Sequence, residues 1–493
     1  MLSVQYPHHS SSAELFGSLE ACLWVPFPQT PEAFWQLEAE IHAKARVVAD
    51  RLVFGQLVAA HQALDFVDTC VAKARDQQPW KNKGWKEVSI LLPGGTRVVL
   101  KTPYLCTRCK RHKRRGCYPV LEALGIRDGV SPATRSDLAL YTVQAGSYQE
   151  AQALLAHKGL TCDLSTLARI AEATGLEHMT LRDAALRTAR KIPLPEKGLL
   201  AGKRVRISLD GGRVRTRKPL SGQKTATGRQ RFTTPWREPR VLVIDVLDAE
   251  GKPDALSLPL YDALIADADT TFALVMGYLR LLGAAQAAEI VFIADGAKWI
   301  WDRIESLKRE AEIPHLIQVL DFYHAAEHLA DALEIPPGMS PKQRRKLFEA
   351  LRHILRHEGI EKVMERLKEL GRTSRRSRKM RHSLEYFETH AHRMQYAQLK
   401  EQHLPMGSGQ VESAVRRVIN LRFKAPGSFW KEERVNALMH LRAAFKAGRW
   451  NELMRDVLNQ TFSLPAFGSE NLIPFPVAEK SASNPHPSTQ RTA

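Results

Sequence analysis

The order of strand-like and helix-like segments between residues 200 and 333 constrains the fold most strongly. Three strand-like runs come first, "RVRISLD", "GRVRTR" and "REPRVLVIDVLDAEGK", and a helix follows over about 267–283. Two strand–helix pairs come next, with strands that end on Asp295 and near Asp321. This order, β-β-β-α-β-α-β-α, predicts an α/β domain in which helices cover a mixed sheet.

Acidic residues stand where strands of this region end. Asp210 closes the first strand and Asp295 the fourth, and the carboxyl ends of strands deliver side chains to a crevice. Glu412 lies beside the apolar face of a later helix, in "GSGQVESAVRRVINLRFK". Hard cations prefer oxygen ligands, and paired Mg²⁺ or Mn²⁺ ions support phosphoryl transfer. The pattern therefore indicates catalytic, metal-binding roles for Asp210, Asp295 and Glu412.

Simpler roles for the same acids remain open. Asp210 and Asp295 are each followed by Gly, which is typical of a turn. Glu412 has Arg416 four residues later and could simply pair with it. Asp321 could replace one of the three acids.

The charge balance favours an anionic partner. The chain has 72 Lys and Arg against 53 Asp and Glu, a net charge of +19. Residues 101–117 hold seven Lys or Arg and no acid. Such clustering favours a nucleic acid as the partner. No apolar run reaches the roughly 18 residues of a membrane helix, and the start lacks a secretory pattern, so we expect a cytoplasmic, nucleoid-associated protein without a membrane partner.

Several residues are candidates for contacting the nucleic acid. Arg213, Arg215 and Arg217 alternate, so on a strand they would face one way. Arg416, Arg422 and Lys424 lie on or just after the Glu412 helix. Residues 148–175 read as helix, turn, helix, with Ser165 and Arg169 in the candidate recognition helix 165–173. An ordinary helical hairpin has the same periodicity.

Cys106, Cys109, His112 and Cys117 have the spacing C-x2-C-x2-H-x4-C. Four such ligands suit tetrahedral, structural Zn²⁺. The spacing is not that of a standard finger, and Cys117 could instead belong to the core.

Five motifs carry a resemblance to a known family: "SLDGG", "IADGAKWIW", "LDFYHAAEHL", "RMQYAQLK" and "GSGQVESAVRRVINLRFK". In this order they resemble bacterial insertion-sequence transposases of the DDE class, in particular the ISKra-like group, over roughly residues 120–445. The resemblance implies an RNase H-like domain with the triad Asp210, Asp295 and Glu412. It also implies double-stranded DNA as the partner, cleavage at transposon ends, joining of the freed 3′-hydroxyl to target DNA, and a homodimer or larger synaptic complex.

The resemblance and the composition together predict seven regions. These are an N-terminal helical region (1–85), a β-hairpin and cysteine-basic segment (86–120), a helix-turn-helix region (121–195), the first part of the RNase H-like domain (200–321), a helical insertion (322–405), the last catalytic helices (406–460) and a disordered tail (463–493).

Two other classes of function compete with this interpretation. "HAAEH" fits the H-x-x-E-H pattern of a zinc metallopeptidase, with His324 and His328 as ligands and Glu327 as base. In the transposase interpretation, His324 contacts DNA near the crevice. The same domain could also serve a nuclease without strand transfer, or a DNA-binding regulator with structural carboxylates.

Overall fold

The computed structural model describes residues 4–5, 12–78, 80–106, 116–336, 338–372, 377–425, 427–464 and 467. Its helices are α1 (Ser12–Glu20), α2 (Pro31–Gln62), α3 (Leu64–Gln77), α4 (Pro119–Ala123), α5 (Pro132–Gln144), α6 (Tyr148–His157), α7 (Leu164–Ala189), α8 (Ala268–Leu282), α9 (Lys298–Glu310), α10 (Phe322–Leu333), α11 (Pro341–His357), α12 (Ile360–Gly371), α13 (Arg378–His390), α14 (Tyr396–Glu401), α15 (Gly409–Val415), α16 (Leu421–Phe423), α17 (Glu432–Lys446) and α18 (Trp450–Asn459). Its strands are β1 (Val4–Gln5), β2 (Lys81–Leu91), β3 (Arg97–Cys106), β4 (Gly116–Cys117), β5 (Arg204–Gly211), β6 (Val214–Arg215), β7 (Lys218–Lys224), β8 (Gln230–Thr233), β9 (Trp236–Arg237), β10 (Arg240–Leu247), β11 (Leu260–Leu264), β12 (Glu289–Ala294) and β13 (Leu316–Leu320). The tail predicted from residue 463 falls almost wholly outside the described residues.

A five-stranded mixed sheet forms the centre of the molecule. Its strand order is β11-β10-β5-β12-β13. Strands β5, β12 and β13 are parallel, whereas β10 is antiparallel to both of its neighbours. Helix α8 follows β11, α9 follows β12 and α10 follows β13. The predicted mixed sheet covered by helices is therefore present.

One predicted strand was wrong and one strand was missed. The run "GRVRTR" contributes only the two-residue strand β6, which pairs with β9 outside the sheet. The second strand of the sheet is β10, and the third is β11, "LYDAL". Short strands that contain a charged residue give a weak periodic signal, and β11 contains Asp262.

Helices pack on both faces of the sheet because side chains alternate along β10. Leu242 and Ile244 join the cluster that contains Phe272 of α8. Val241 and Val243 face the other way, into a cluster with α15, α17 and α18. Helices α10 to α14 lie between β13 and α15 in the chain, and so occupy the position of the predicted insertion.

Elsewhere the chain is largely helical, with one hairpin. The predicted helix over residues 31–78 begins at Pro31, where the Thr30 hydroxyl accepts from the Ala33 amide (3.1 Å), but it divides into α2 and α3 at Ala63. The predicted hairpin at 87–105 corresponds to β2 and β3. In the described part of the chain, no helix is both long and apolar enough to cross a membrane.

A buried polar network joins α7 to the sheet. Asp262 of β11 accepts from Arg182 of α7 (2.8 Å), from the Tyr278 hydroxyl (2.7 Å) and from His440 Nδ1 (3.0 Å). His440 also lies 2.7 Å from a ring nitrogen of His178. Burial lowers the pKa of His440 to about 4, although the Asp262 carboxylate opposes this shift.

This low pKa predicts acid sensitivity. The unfolded chain takes up a proton on His440 near pH 6.5, but the folded chain does so only near pH 4, so this contribution to stability is complete above 6.5 and is lost as the pH falls. We expect a loss of about 2 kcal/mol between about pH 7.5 and about pH 5. Urea unfolding at both pH values measures it. His440→Gln lacks the titrating group and so lacks this contribution. If wild type and variant differed in free energy of unfolding by the same amount at both pH values, the low pKa of His440 would be contradicted.

Candidate active site

Three neighbouring parallel strands carry an aspartate at the same end. Leu209 of β5 pairs with Ala294 of β12, which pairs with Leu320 of β13. The next residues are Asp210, Asp295 and Asp321. Since neighbouring strands lie about 4.8 Å apart, these acids form a row, which we call the carboxylate edge (Asp210, Asp295 and Asp321).

Glu412 reaches this edge from a helix. Helix α15 packs against β5 and β10. Gly212, just after β5, lies close to the helical turn that follows α15. A Cβ atom at Gly212 would be 2.9 Å from the Ile419 side chain of that turn. The predicted apolar face of the helix is buried, whereas Glu412 itself is exposed. Its carboxylate is therefore open to solvent beside the carboxylate edge.

Electrostatics link the three predicted acids. The pKa of Asp210 is raised to about 6, first by burial and then by the negative charges of Asp295 and Glu412. The Gly211 amide, 2.6 Å from Asp210, and His324 oppose this rise. Because like charges crowd Asp210, a bound cation would relieve their repulsion.

Asp321 is connected to Glu412 by hydrogen bonds through Ser408. Asp321 is fully buried, and its Oδ1 accepts from the Tyr323 amide (2.7 Å) at the start of α10. Its Oδ2 is hydrogen-bonded to the Ser408 hydroxyl, which also lies 3.0 Å from Glu412 Oε1. The sequence suggested Asp321 as a replacement acid. In the structure it shares the register row of Asp210 and Asp295, and burial raises its pKa.

Two further residues at this edge were missed by the sequence reasoning. Arg240 lies opposite Gly211 in β10, stacks 3.7 Å from the Trp299 ring centroid, and interacts electrostatically with Asp295. Tyr386 of α13 packs so tightly on the Asp295 turn that a Cβ atom at Gly296 would lie 2.5 Å from its ring. The insertion therefore covers one side of the edge. Only the strand register could have signalled Arg240.

The rival zinc motif lies on α10. His324 Nδ1 is 3.4 Å from Glu327, and His328 stacks on Tyr386 with ring centroids 3.8 Å apart. Among the described residues, no three or more His, Cys, Asp or Glu side chains are grouped so that they could hold a metal ion. This holds for the H-x-x-E-H residues and for the carboxylates. The two candidate sites differ in the metal that their ligands suit. The carboxylates suit Mg²⁺, which usually binds one or two protein carboxylates together with water and substrate phosphate.

The predicted DNA-contacting residues divide into exposed and buried groups. Arg213, Arg215 and Arg217 are exposed and alternate with the buried Val214 and Thr216, so they do face one way. Arg416 and Lys424 are exposed as well. Arg422 is only 2% exposed and donates to the Gly146 carbonyl (2.7 Å). It therefore lies in the core, without a free surface for contacting DNA.

The predicted helix-turn-helix corresponds to α6 and α7. Ser165 and Arg169 are both exposed, and they line an open groove of about 670 Å³. Arg169 is paired with Asp128 at 2.7 Å. The second helix continues beyond the predicted recognition segment to Ala189, and its later turns carry the buried Arg182. This end of α7 is therefore fixed to the sheet domain.

The predicted zinc ligands are only partly described. Cys106 and Cys117 are buried on the paired strands β3 and β4. Cys109 and His112 lie outside the described residues. Burial raises the pKa of Cys117 to about 11. The zinc site remains a prediction.

Comparisons with known proteins give limited matches. The model of an uncharacterised protein family, UPF0236, matches residues 269–457, which is less than half of the chain and includes Asp295, Asp321 and Glu412 but not Asp210. No curated protein matches the chain. Among solved structures, the Drosophila P element transposase strand transfer complex is similar over 68% of this chain and 82% of that chain, at 11% sequence identity and a TM-score of 0.25.

Proposed function

We propose that this chain is a DNA transposase of an insertion sequence, acting through a DDE triad of Asp210, Asp295 and Glu412. The observation that carries the proposal is the position of Asp210 and Asp295 in one register row at the ends of neighbouring parallel strands, with Glu412 beside them. The strand order and the helical insertion before Glu412 support an RNase H-like domain, as the sequence resemblance implies.

The three acids would hold Mg²⁺ or Mn²⁺. When bound, two such ions stabilise the attacking and leaving oxygens of phosphoryl transfer. The other groups of the chain act on position and charge. Asp321 and Ser408 hold the Glu412 carboxylate, and Tyr386 covers the Asp295 turn. His324, which interacts electrostatically with Asp210, would contact the scissile phosphate.

The reaction needs one phosphodiester hydrolysis and one transesterification. Water attacks the phosphorus at the transposon end, and the P–O3′ bond breaks to leave a free 3′-hydroxyl. This hydroxyl then attacks a phosphodiester of the target DNA and displaces another 3′-oxygen. One bond forms for each bond that breaks, so joining requires no external energy source.

DNA binding is part of the same proposal. Exposed arginines near the carboxylate edge would hold phosphates, and α6 and α7, with Ser165 and Arg169, would read the transposon ends. Structural Zn²⁺ on Cys106, Cys109, His112 and Cys117 would order the basic segment between them. We further propose that a homodimer or larger complex brings two ends together in the cytoplasm.

A plasmid assay tests this function. The substrate carries the DNA that borders the coding sequence on both sides, together with a second plasmid as target. With Mg²⁺ or Mn²⁺ we expect nicks at the borders and joined products, and with EDTA or Ca²⁺ we expect neither product. Cleavage without joining would favour the nuclease alternative. Absence of cleavage with either ion, while the borders are bound, would contradict the proposal.

A further inference from the structure

Residues 212–239 leave the central sheet directly after Asp210 and return to it at Arg240; we call them the basic ribbon. They form two short antiparallel pairs, β6 with β9 and β7 with β8. Strands β8 and β9 are exposed along their whole length. The segment contains eight Lys or Arg and one acid, Glu238. A protruding, strongly basic strand pair is suited to an anionic polymer.

Aromatic rings stand among these charges. Trp236 is 54% exposed and Phe232 is 40% exposed. Arg215 lies over the Trp236 ring, with Cζ 4.9 Å from its centroid, and Arg217 lies over the Phe232 ring at 5.3 Å. Exposed rings beside guanidinium groups offer what a nucleotide needs, a stacking surface for the base and a cation for the phosphate.

The cations of the basic ribbon are largely available for a ligand. In the part of the chain that the structure describes, its ion pairs are Arg213 with Glu238 at 4.0 Å and Arg237 with Glu432 at 2.8 Å. Arg217 is oriented by a neutral group, because its Nε donates to the Phe429 carbonyl (3.0 Å). Its positive charge therefore remains without a neutralising acid there.

The basic ribbon is attached to β5, one of the three elements that carry the proposed triad, and to the chain that follows the Glu412 helix. Arg213 is three residues from Asp210, which places its backbone within about 10 Å of that acid. The Arg217 amide donates to the Trp430 carbonyl (2.7 Å), and the Trp430 amide donates to the Arg215 carbonyl (3.2 Å). Trp430 follows the Glu412 helix in the chain. These hydrogen bonds attach the proposed nucleotide site to the chain that follows Glu412, and β5 connects it to Asp210.

We propose that the basic ribbon binds unpaired nucleotides next to the cleaved bond, with bases stacked on Trp236 and Phe232 and phosphates held by Arg215 and Arg217. This inference rests on the proposed function for its place in the reaction. In a duplex, the faces of the bases are already stacked on each other, so exposed rings gain most from single-stranded or frayed DNA.

Fluorescence anisotropy with labelled oligonucleotides in EDTA tests binding without chemistry. We expect the double variant Trp236→Ala, Phe232→Ala to lose roughly ten- to hundredfold in affinity for a thymidine oligomer. Its affinity for duplex DNA should change far less, because phosphate contacts dominate duplex binding. Trp236→Phe keeps a stacking ring and should bind nearly as wild type. Leu256→Ala replaces an equally exposed apolar residue (57%) and should have no effect.

Three results would overturn this inference. They are unchanged single-strand affinity in the double variant, an equal loss of single-strand and duplex affinity, and loss of self-association in light scattering without loss of single-strand affinity. The last result would make the rings a contact between copies of the chain. Failure of the plasmid assay with the selective single-strand loss intact would reject the transposase proposal and leave the nucleotide-binding role.

Discussion

Asp210→Asn is expected to lower metal-dependent DNA cleavage by about a thousandfold or more, with DNA affinity almost unchanged. The amide keeps the size of the side chain but removes the negative charge. Ions of this kind contribute several kcal/mol to phosphoryl transfer, and each 1.36 kcal/mol is tenfold in rate. Asp295→Asn and Glu412→Gln should behave in the same way, because the three acids act on one electrostatic site.

Single-turnover cleavage of the border plasmid measures this effect, and binding of the same DNA in EDTA checks that recognition survives. A matched control is Asp302→Asn on α9, an exposed acid that pairs with Lys298 at 2.7 Å. Exposed pairs of this kind contribute at most about 1 kcal/mol to stability, so its activity should remain near wild type. Near-normal cleavage in any one triad variant would remove that residue from the proposed triad.

Asp321 has a different role from the triad in this proposal. It is fully buried and is hydrogen-bonded to Ser408, which lies 3.0 Å from Glu412. It is therefore a positioning residue in this proposal. A triad member must lie where a cation and a phosphate can both reach it, and the exposed Glu412 meets that condition.

Much of the sheet could be predicted because β10 and β12 are strongly apolar and β5 alternates apolar with polar residues. The runs that became β5, β10 and β12 are buried almost throughout, and each ends at a clear turn. Because each strand has a clear end, the acids that stand at these ends could be identified in the sequence. Strand β11 was missed because Asp262 interrupts it, and its partners Arg182 and His440 lie 80 and 178 residues away in the chain.

Arg422 shows that residue type can mislead where helix periodicity does not. It lies four residues after Val418 and seven after Val415, so a regular helix already places it on the buried face of the Glu412 helix. In the structure it points inward, between the rings of Tyr148 (5.5 Å) and Trp430 (4.8 Å). Its positive charge alone suggested a contact with DNA.

Asp262→Ala is expected to destabilise the protein by about 3–5 kcal/mol, the largest loss of stability among the changes considered. Arg182 is only 2% exposed, and its guanidinium lies 2.8 Å from both oxygens of Asp262. Removing the carboxylate leaves this cation buried beside His440, with the half-exposed Asp183 (2.7 Å) as its remaining acid partner. It also removes the acceptor of the Tyr278 hydroxyl. Urea unfolding near neutral pH, followed by circular dichroism, measures the change in free energy.

Replacing both members of the pair distinguishes a buried charge from a packing defect. Removing one partner leaves a buried charge without its compensating acid or base. Replacing a whole buried pair with apolar groups often leaves the stability unchanged. We therefore expect Arg182→Leu, Asp262→Leu to be more stable than Asp262→Ala. Asp269→Ala removes an exposed acid paired with Arg303 at 2.6 Å, and it should cost at most about 1 kcal/mol. If Asp262→Ala cost no more than this control, α7 would be held to the sheet by its apolar contacts and not by the Arg182–Asp262 pair.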